Sequence, residues 1–335
     1  MKDILITGGA GYVGSALTKA VLIERKDFDK VIVYDNLSKG RLQAIGHLAE
    51  MFKKRLIFIK GDIRDALDLE KIFKQFNIDT VIHLAAIVDA FSTNREGKDT
   101  ECYYVNEKAT KELAKLAKSY KVKSFIYQSS VSVYSKGENL KENDKKTPIT
   151  AYGITKLKGE EILKLDDENF NLTILRPATV FGYSPGFRYE TVINYFIVRA
   201  FYKMRLPVFK EALESEKSFI DIEDNVNAIL FTLKNMNKMK GQIFNISSFN
   251  CNLKAILNVM KRHFPQIEID LIGTPNITQQ PYTISSEKFR SLGFKPKGNL
   301  ENGVKYFKKY LKRDYHYLFR NYIIKKELLL KTLLE

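Results

Sequence analysis

The chain has 335 residues, enough for one large core or two unequal lobes, and no run approaching the ~18 apolar residues of a membrane span. Its net charge of +16 comes mostly from lysines spread along the whole chain, the pattern of a solvated surface rather than of a nucleic-acid face. Cys102 and Cys251 and four scattered histidines lack disulfide or ligand spacing, so no metal is expected and a reducing cytoplasm suits the composition.

Met1-Lys2-Asp3 passes directly into an apolar run, which leaves no room for a signal peptide, and the expected location is cytoplasmic. That run, 3–7, reads as a strand and ends in Gly8-Gly9-Ala10-Gly11-Tyr12-Val13-Gly14. A helical pattern over 12–24 follows, with Leu17, Ala20 and Val21 on one face. Strand, glycine turn and helix are the context a dinucleotide fingerprint requires, here with glycines at 8, 11 and 14. Gly8 permits a tight turn, Gly11 lets backbone approach a pyrophosphate, and Gly14 lets helix pack on strand. The helix N-terminus favours the phosphate charge. The second strand, 30–34, runs into Asp35, 21 residues beyond Gly14. A carboxylate there accepts from both ribose hydroxyls and repels a 2′-phosphate, which predicts NAD rather than NADP.

Further strands at 55–59, 80–84, 123–128 and 172–176 alternate with helical patterns at 41–51, 68–76, 100–119 and 150–165. This alternation predicts an α/β fold with a doubly wound parallel Rossmann sheet and ligands at the carboxyl ends of its strands. Helices at 188–204, 224–238, 251–264 and 300–312, with one more strand at Gln242 to Ile246, predict a smaller, mostly helical C-terminal substrate lobe. The expected division is 1–178 plus about 224–247 for the NAD-binding domain, 179–223 plus 248–312 for the substrate lobe, and 313–335 for an added amphipathic helix.

The helix over 150–165 carries Tyr152 and Lys156, four residues apart and so on one face. A free tyrosine has a pKa near ~10 and is a poor base at neutral pH; a nearby cation lowers it. Reaching about 7 requires roughly 4 kcal/mol of differential stabilisation. A positively charged nicotinamide ring would add to what the lysine supplies, so the pair calls for the cofactor that the N-terminus predicts.

Taken together, these residues resemble the extended short-chain dehydrogenase/reductases that modify nucleotide sugars. The resemblance covers roughly 3–300 and rests on Thr7 to Gly14, Asp35-Asn36-Leu37-Ser38, Gly61-Asp62-Ile63, His83-Leu84-Ala85-Ala86, Asn106, Ser129 to Tyr134, Tyr152 to Lys156 and Arg176-Pro177. It implies NAD held by Gly8, Gly11, Tyr12, Val13 and Gly14 at the pyrophosphate. Asp35 and Asn36 would hold the adenosine ribose, and Asp62 and Ile63 would flank the adenine. Leu84, Ala85, Ala86, Asn106 and Pro177 would line the cofactor, with Lys156 on the nicotinamide ribose. The implied catalytic set is Ser130, Tyr152 and Lys156. Ser130 would hydrogen-bond the reacting sugar oxygen. Tyr152 would act as base in oxidation and as acid in the return. Ser129 and Ser132 read as ordinary packing and turn polars.

Relatives that dehydrate or decarboxylate generally carry an acid just after this serine, whereas here Val131-Ser132 follows. The resemblance therefore implies hydride transfer at C4 of a nucleotide sugar, as a 4-epimerase or as a C4 dehydrogenase or keto-reductase. Ser130, Thr179, Arg188, Lys217 and Tyr282 are the implied substrate contacts. Lys217 stands where the family usually has a diphosphate-binding arginine, and lysine lacks the bidentate geometry that Arg188 could restore. Near Thr274-Pro275-Asn276 another arginine of the hexose epimerases is missing. A homodimer is the family default. In the tail, Tyr315, Leu318, Phe319, Tyr322 and Ile323 recur at helical spacing among basic residues. Such a helix packs on its own protein or a second subunit, or lies on an anionic membrane surface.

Overall fold

The computed structural model describes residues 2–88, 98–165, 170–273 and 282–313. In chain order the first half runs β1 (Asp3–Thr7), α1 (Tyr12–Glu24), β2 (Lys30–Asp35), α2 (Leu42–Met51), β3 (Leu56–Lys60), α3 (Ala66–Gln75) and β4 (Ile78–His83). It continues with α4 (Lys98–Cys102), a π-helical turn (Tyr103–Lys108), α5 (Ala109–Ser119), β5 (Ser124–Gln128), β6 (Gly137–Leu140), α6 (Ala151–Lys164) and β7 (Asn171–Pro177). The second half adds β8 (Thr179–Phe181), α7 (Val192–Phe201), β9 (Leu206–Phe209), β10 (Lys217–Asp221), α8 (Ile222–Lys234), α9 (Met236–Met239) and β11 (Gln242–Ile246). Last come β12 (Phe249–Cys251), α10 (Leu253–His263), β13 (Ile269–Ile272), β14 (Tyr282–Ile284), α11 (Glu287–Ser291) and α12 (Leu300–Arg313).

Seven strands form one sheet in the order β11-β7-β5-β4-β1-β2-β3, every pair parallel. Because successive side chains in a strand point to opposite faces, a strand covered on both sides must be apolar throughout. In β1, Ile4 and Ile6 join the cluster under α1 and α8, and Leu5 joins the cluster under α3 and α5. The chain leaves β1 for β2 and β3 on one side and returns to β4 on the other. This opens a crevice at the carboxyl ends of β1 and β4, the place where doubly wound sheets hold ligands.

A third cluster, built on Phe181, Phe196, Ile197, Phe219, Met260 and Phe307, is the core of the second lobe. Short strands join the expected helices there: β12-β10-β8 and β13-β9 form two small sheets. One boundary differs from the expectation. Residues 282–294 fell within the 248–312 segment assigned to the lobe, yet β14 pairs with β6, and Phe289 and Phe294 pack in the same cluster as the β1 and β7 side chains. Phe289 lies 5.4 Å from Phe244 of β11, so aromatic burial against the sheet edge decides where this segment goes. The tail helix expected at 313–335 lies outside the described residues apart from Arg313, which ends α12. Among the described residues, no helix is long and apolar enough to cross a membrane.

Candidate active site

The glycine loop sits at the switch point. Gly8 adopts φ +70°, and its N–H donates to the Tyr34 carbonyl at 2.8 Å. A Cβ on Gly14 would lie 2.1 Å from the Gly8 oxygen, so only glycine lets α1 start this close to β1. Gly11 begins α1 without a side-chain cap, and the first turn carries no acid. The N–H groups of Tyr12, Val13 and Gly14 therefore end the helix as an anion cradle.

Asp35 closes β2 at 7% exposure. Its Oδ2 accepts from the Ala10 N–H at 3.0 Å and its Oδ1 from the Leu37 N–H at 2.8 Å. The carboxylate is thus fixed beside the glycine loop, with further lone pairs for two hydroxyls. Burial raises its pKa. Beyond it, the Asn36 amide donates to Asp62 at 3.0 Å, and Arg64 holds Asp62 well below the usual carboxylate range. Ile63 turns its side chain into the core instead. These residues fit a dinucleotide: an uncapped helix terminus for the diphosphate, a carboxylate for the ribose and a polar rim beyond.

The Leu84-Ala85-Ala86 segment leaves β4 across the same crevice. Asn106 holds it: its amide accepts from Ile87 N–H at 2.8 Å and donates to the Ile87 carbonyl at 2.9 Å and to Thr155 at 3.1 Å. The π-helical turn aims that amide; extra residues in a helix often do this at functional sites. Asn106 thereby acts on the segment and on α6, a positioning part that spacing alone did not reveal. His83, fully buried at the end of β4, bonds Thr7 at 2.7 Å and Thr110 at 2.9 Å. Thr110 donates to the Asn106 carbonyl, so His83 donates from Nε2 and accepts at Nδ1. Burial lowers its pKa to about 3, so it stays neutral.

Ser130 follows β5, and α6 brings Tyr152 to it. A Cβ on Gly153 would stand 2.2 Å from the Ser132 carbonyl oxygen, so glycine at 153 is what permits this approach. Thr150 caps α6 by accepting from Gly153 N–H at 3.0 Å. Tyr152, 8% exposed, lies beside Ser130. Burial raises the phenol's pKa, while Ser130 and the charge of Arg188 act to lower it. Lys156 does not do so in the manner expected from its spacing. Its ammonium donates to the Gln128 carbonyl at 2.8 Å and lies 4.6 Å from the centre of the Tyr127 ring. Burial lowers its pKa to about 7, against the opposing pull of Glu160.

Of the expected substrate contacts, Arg188 and Tyr282 come closest to this cluster. Arg188 reaches the Val88 carbonyl at 3.3 Å and acts on Tyr152 through its charge. Tyr282 in β14 lies near Ser132 and Tyr152, its pKa pushed up to about 12 by burial and, to a lesser extent, by Tyr152. Pro177 ends β7 opposite Ile246. Thr179 pairs with Phe219 of β10, and Lys217 starts that strand with its pKa lowered by burial. Thr274, Pro275 and Asn276 lie outside the described residues.

Fold and site together define a dinucleotide-dependent enzyme with a Ser–Tyr–Lys cluster. Residues 4–247 match the NAD dependent epimerase/dehydratase family, and the chain belongs to that family, within the extended short-chain dehydrogenase/reductases. Its cofactor is NAD. The chain is 34% identical over 190 residues to UDP-glucose 4-epimerase uge1 of Schizosaccharomyces pombe, covering 55% of this chain and 51% of that one. It spans about half the length of the curated relatives it matches at this level of identity. It is 27% identical to human dTDP-D-glucose 4,6-dehydratase over 94% of this chain and 91% of that one. Among solved structures, UDP-glucuronic acid 4-epimerase from Bacillus cereus, in complex with UDP-glucuronic acid and NAD, superposes with TM-score 0.83 at 25% identity, covering 93% of this chain and 99% of that one.

Proposed function

We propose that this enzyme is a nucleotide-sugar 4-epimerase that oxidises C4 transiently and reduces it again from the other side. Bound NAD supplies the hydride acceptor and donor. The observation that carries the reading is the closeness of Tyr152 to Ser130 at the end of β5, beside the nucleotide crevice, with Val131 following the serine. Ser130 holds the sugar O4. Tyr152 removes the O4 proton during oxidation and returns it in reduction. Lys156 fixes the nicotinamide ribose. Gly8, Gly11, Tyr12, Val13 and Gly14 hold the pyrophosphate, Asp35 and Asn36 the ribose, and Asp62 the adenine edge. Thr179, Arg188, Lys217 and Tyr282 contact the nucleotide sugar.

The full-length likeness to a 4,6-dehydratase leaves water elimination to be weighed. Elimination needs an acid and a base beside the tyrosine. Positions 131 and 132 offer a valine and a serine, which favours epimerisation.

UDP-glucose, UDP-glucuronic acid and dTDP-glucose, assayed separately, are expected to give a C4 epimer from at least one. Native mass spectrometry is expected to find NAD retained near one per chain. Tyr152→Phe should abolish turnover and keep the NAD; turnover that survives this change overturns the assignment.

A further inference from the structure

The turn 182–188, between β8 and α7, meets the glycine loop backbone to backbone. A Cβ on Gly186 would stand 2.1 Å from the Gly11 carbonyl oxygen, so only glycine fits there. The Gly186 N–H donates to Ser15 Oγ at 2.9 Å, and Ser184 Oγ donates to the Tyr12 carbonyl at 2.6 Å. That leaves Ser15 to donate to Ser184, 2.9 Å away. Ser15 and Ser184 are 0% and 1% exposed, so these bonds are shut off from water. The aromatic side chains of the same turn go to α12 instead. Tyr183 stacks on Tyr310, ring centres 4.4 Å apart and planes 11° from parallel, and Phe187 meets Phe307 edge-on at 5.5 Å. Asn194 of α7 fixes both ends of the turn, accepting from the Gly182 N–H at 2.8 Å and donating to the Arg188 carbonyl at 2.7 Å.

The first turn of α1 therefore has two uses. Its N–H groups form the anion cradle, while the Tyr12 carbonyl and the Ser15 hydroxyl are gripped by the second lobe. The pyrophosphate is the middle of a dinucleotide, so a contact that fixes the crevice there holds both halves of the cofactor. The lobes cannot part at this point without breaking the buried serine bonds, and the turn cannot lift from α1 while its rings are packed on α12. We propose that the turn 182–188 is a clasp that closes the second lobe on the pyrophosphate loop, that α12 holds it shut through Tyr183 and Phe187, and that its opening gates the exchange of NAD. This rests on the cofactor being held at the N-terminus of α1, and not on the choice of 4-epimerisation. It gives α12, which lies beyond the family match at 4–247, a role at the cofactor site.

The test is cofactor exchange. Protein loaded with isotopically labelled NAD is mixed with excess unlabelled NAD, and native mass spectrometry follows the replacement. No sugar is present, so the result is independent of the reaction that follows. Tyr310→Leu, at a half-buried position, removes the ring stack and is expected to speed exchange about three- to ten-fold. Tyr310→Phe keeps the ring and should exchange at the wild-type rate. Ser184→Ala removes the bonds to Ser15 and to the Tyr12 carbonyl and is expected to speed exchange about ten-fold. Because NAD enters and leaves through the same opening, entry should quicken with exit, and the Kd for NAD should stay near the wild-type value. An exchange rate unmoved in Tyr310→Leu, or moved as much in Tyr310→Phe, overturns the proposal. So does a Kd that rises in step with the exchange rate, which would make the turn a direct contact of NAD rather than a clasp.

Discussion

At the scale of single residues, the part of the site least visible in the sequence is the buried pair Glu160–Arg176. Their side chains are 3% and 1% exposed, and the guanidinium meets the carboxylate through Nε at 2.8 Å and Nη2 at 2.6 Å. Glu160 also accepts from Ser129, and Arg176 donates to the Tyr134 hydroxyl at 2.6 Å and the Glu142 carbonyl at 3.1 Å. One pair thus ties the residue before Ser130, the helix of Tyr152 and Lys156, and strand β7. Arg176 was legible as part of a family motif, but its partner, sixteen residues upstream in another element, was not. Burying two charges is costly, yet removing one leaves the other buried and unpaired, which costs about 3–5 kcal/mol. Glu160→Gln is expected to lose stability of that order in urea unfolding. A loss within about 0.5 kcal/mol, the level of an ordinary surface substitution, would remove the pair from this account.

At the scale of elements, periodicity identified β1 to β5 and their helices within a few residues because both faces of the sheet are covered and each helix has one apolar face. It could not supply the orientation of α6 about its own axis. That depends on Gly153 meeting the Ser132 carbonyl, a contact between segments that no local pattern joins. Gly153→Ala is expected to push the helix away from the turn and to lower turnover about 100-fold, as misplacement of a reacting group by 1 Å can do, with a smaller effect on NAD retention. Steady-state rates beside native mass spectrometry check this, and a rate within two-fold of wild type would show that the turn yields instead. The short strands of the second lobe escaped the sequence reading for the same reason. Each has three to five residues and takes its partner from far along the chain.

At the scale of the whole molecule, the two lobes are sewn together at the glycine loop. The Tyr12 hydroxyl donates to the Gly182 carbonyl at 2.7 Å and accepts from the Asn194 amide at 3.1 Å. Ser15 and Ser184 bond at 2.9 Å beside it. Asn194, fully buried, also holds the Arg188 carbonyl at 2.7 Å, so the glycine turn and the segment carrying Arg188 share one amide. Tyr12→Phe leaves the Gly182 carbonyl without its donor and is expected to cost about 1–3 kcal/mol of stability. It should also shrink the rise in Tm that NAD produces; a thermal melt with and without NAD reads both, and an undiminished rise would mean that the lobes bind their ligands independently.

The amino-acid sequence by itself determined the parallel sheet, the nucleotide crevice and the family. Those follow from local signals: apolar alternation, glycines where backbone must approach backbone, and an acid at the end of the second strand. Only the tertiary structure decided where Lys156 sends its ammonium, that the Ser132 carbonyl meets Gly153, that Glu160 answers Arg176, and that 282–294 packs on the sheet. Each of these is a contact between residues distant in sequence, set by burial and by the need of every buried polar group for a partner, and neither leaves a periodic trace along the chain.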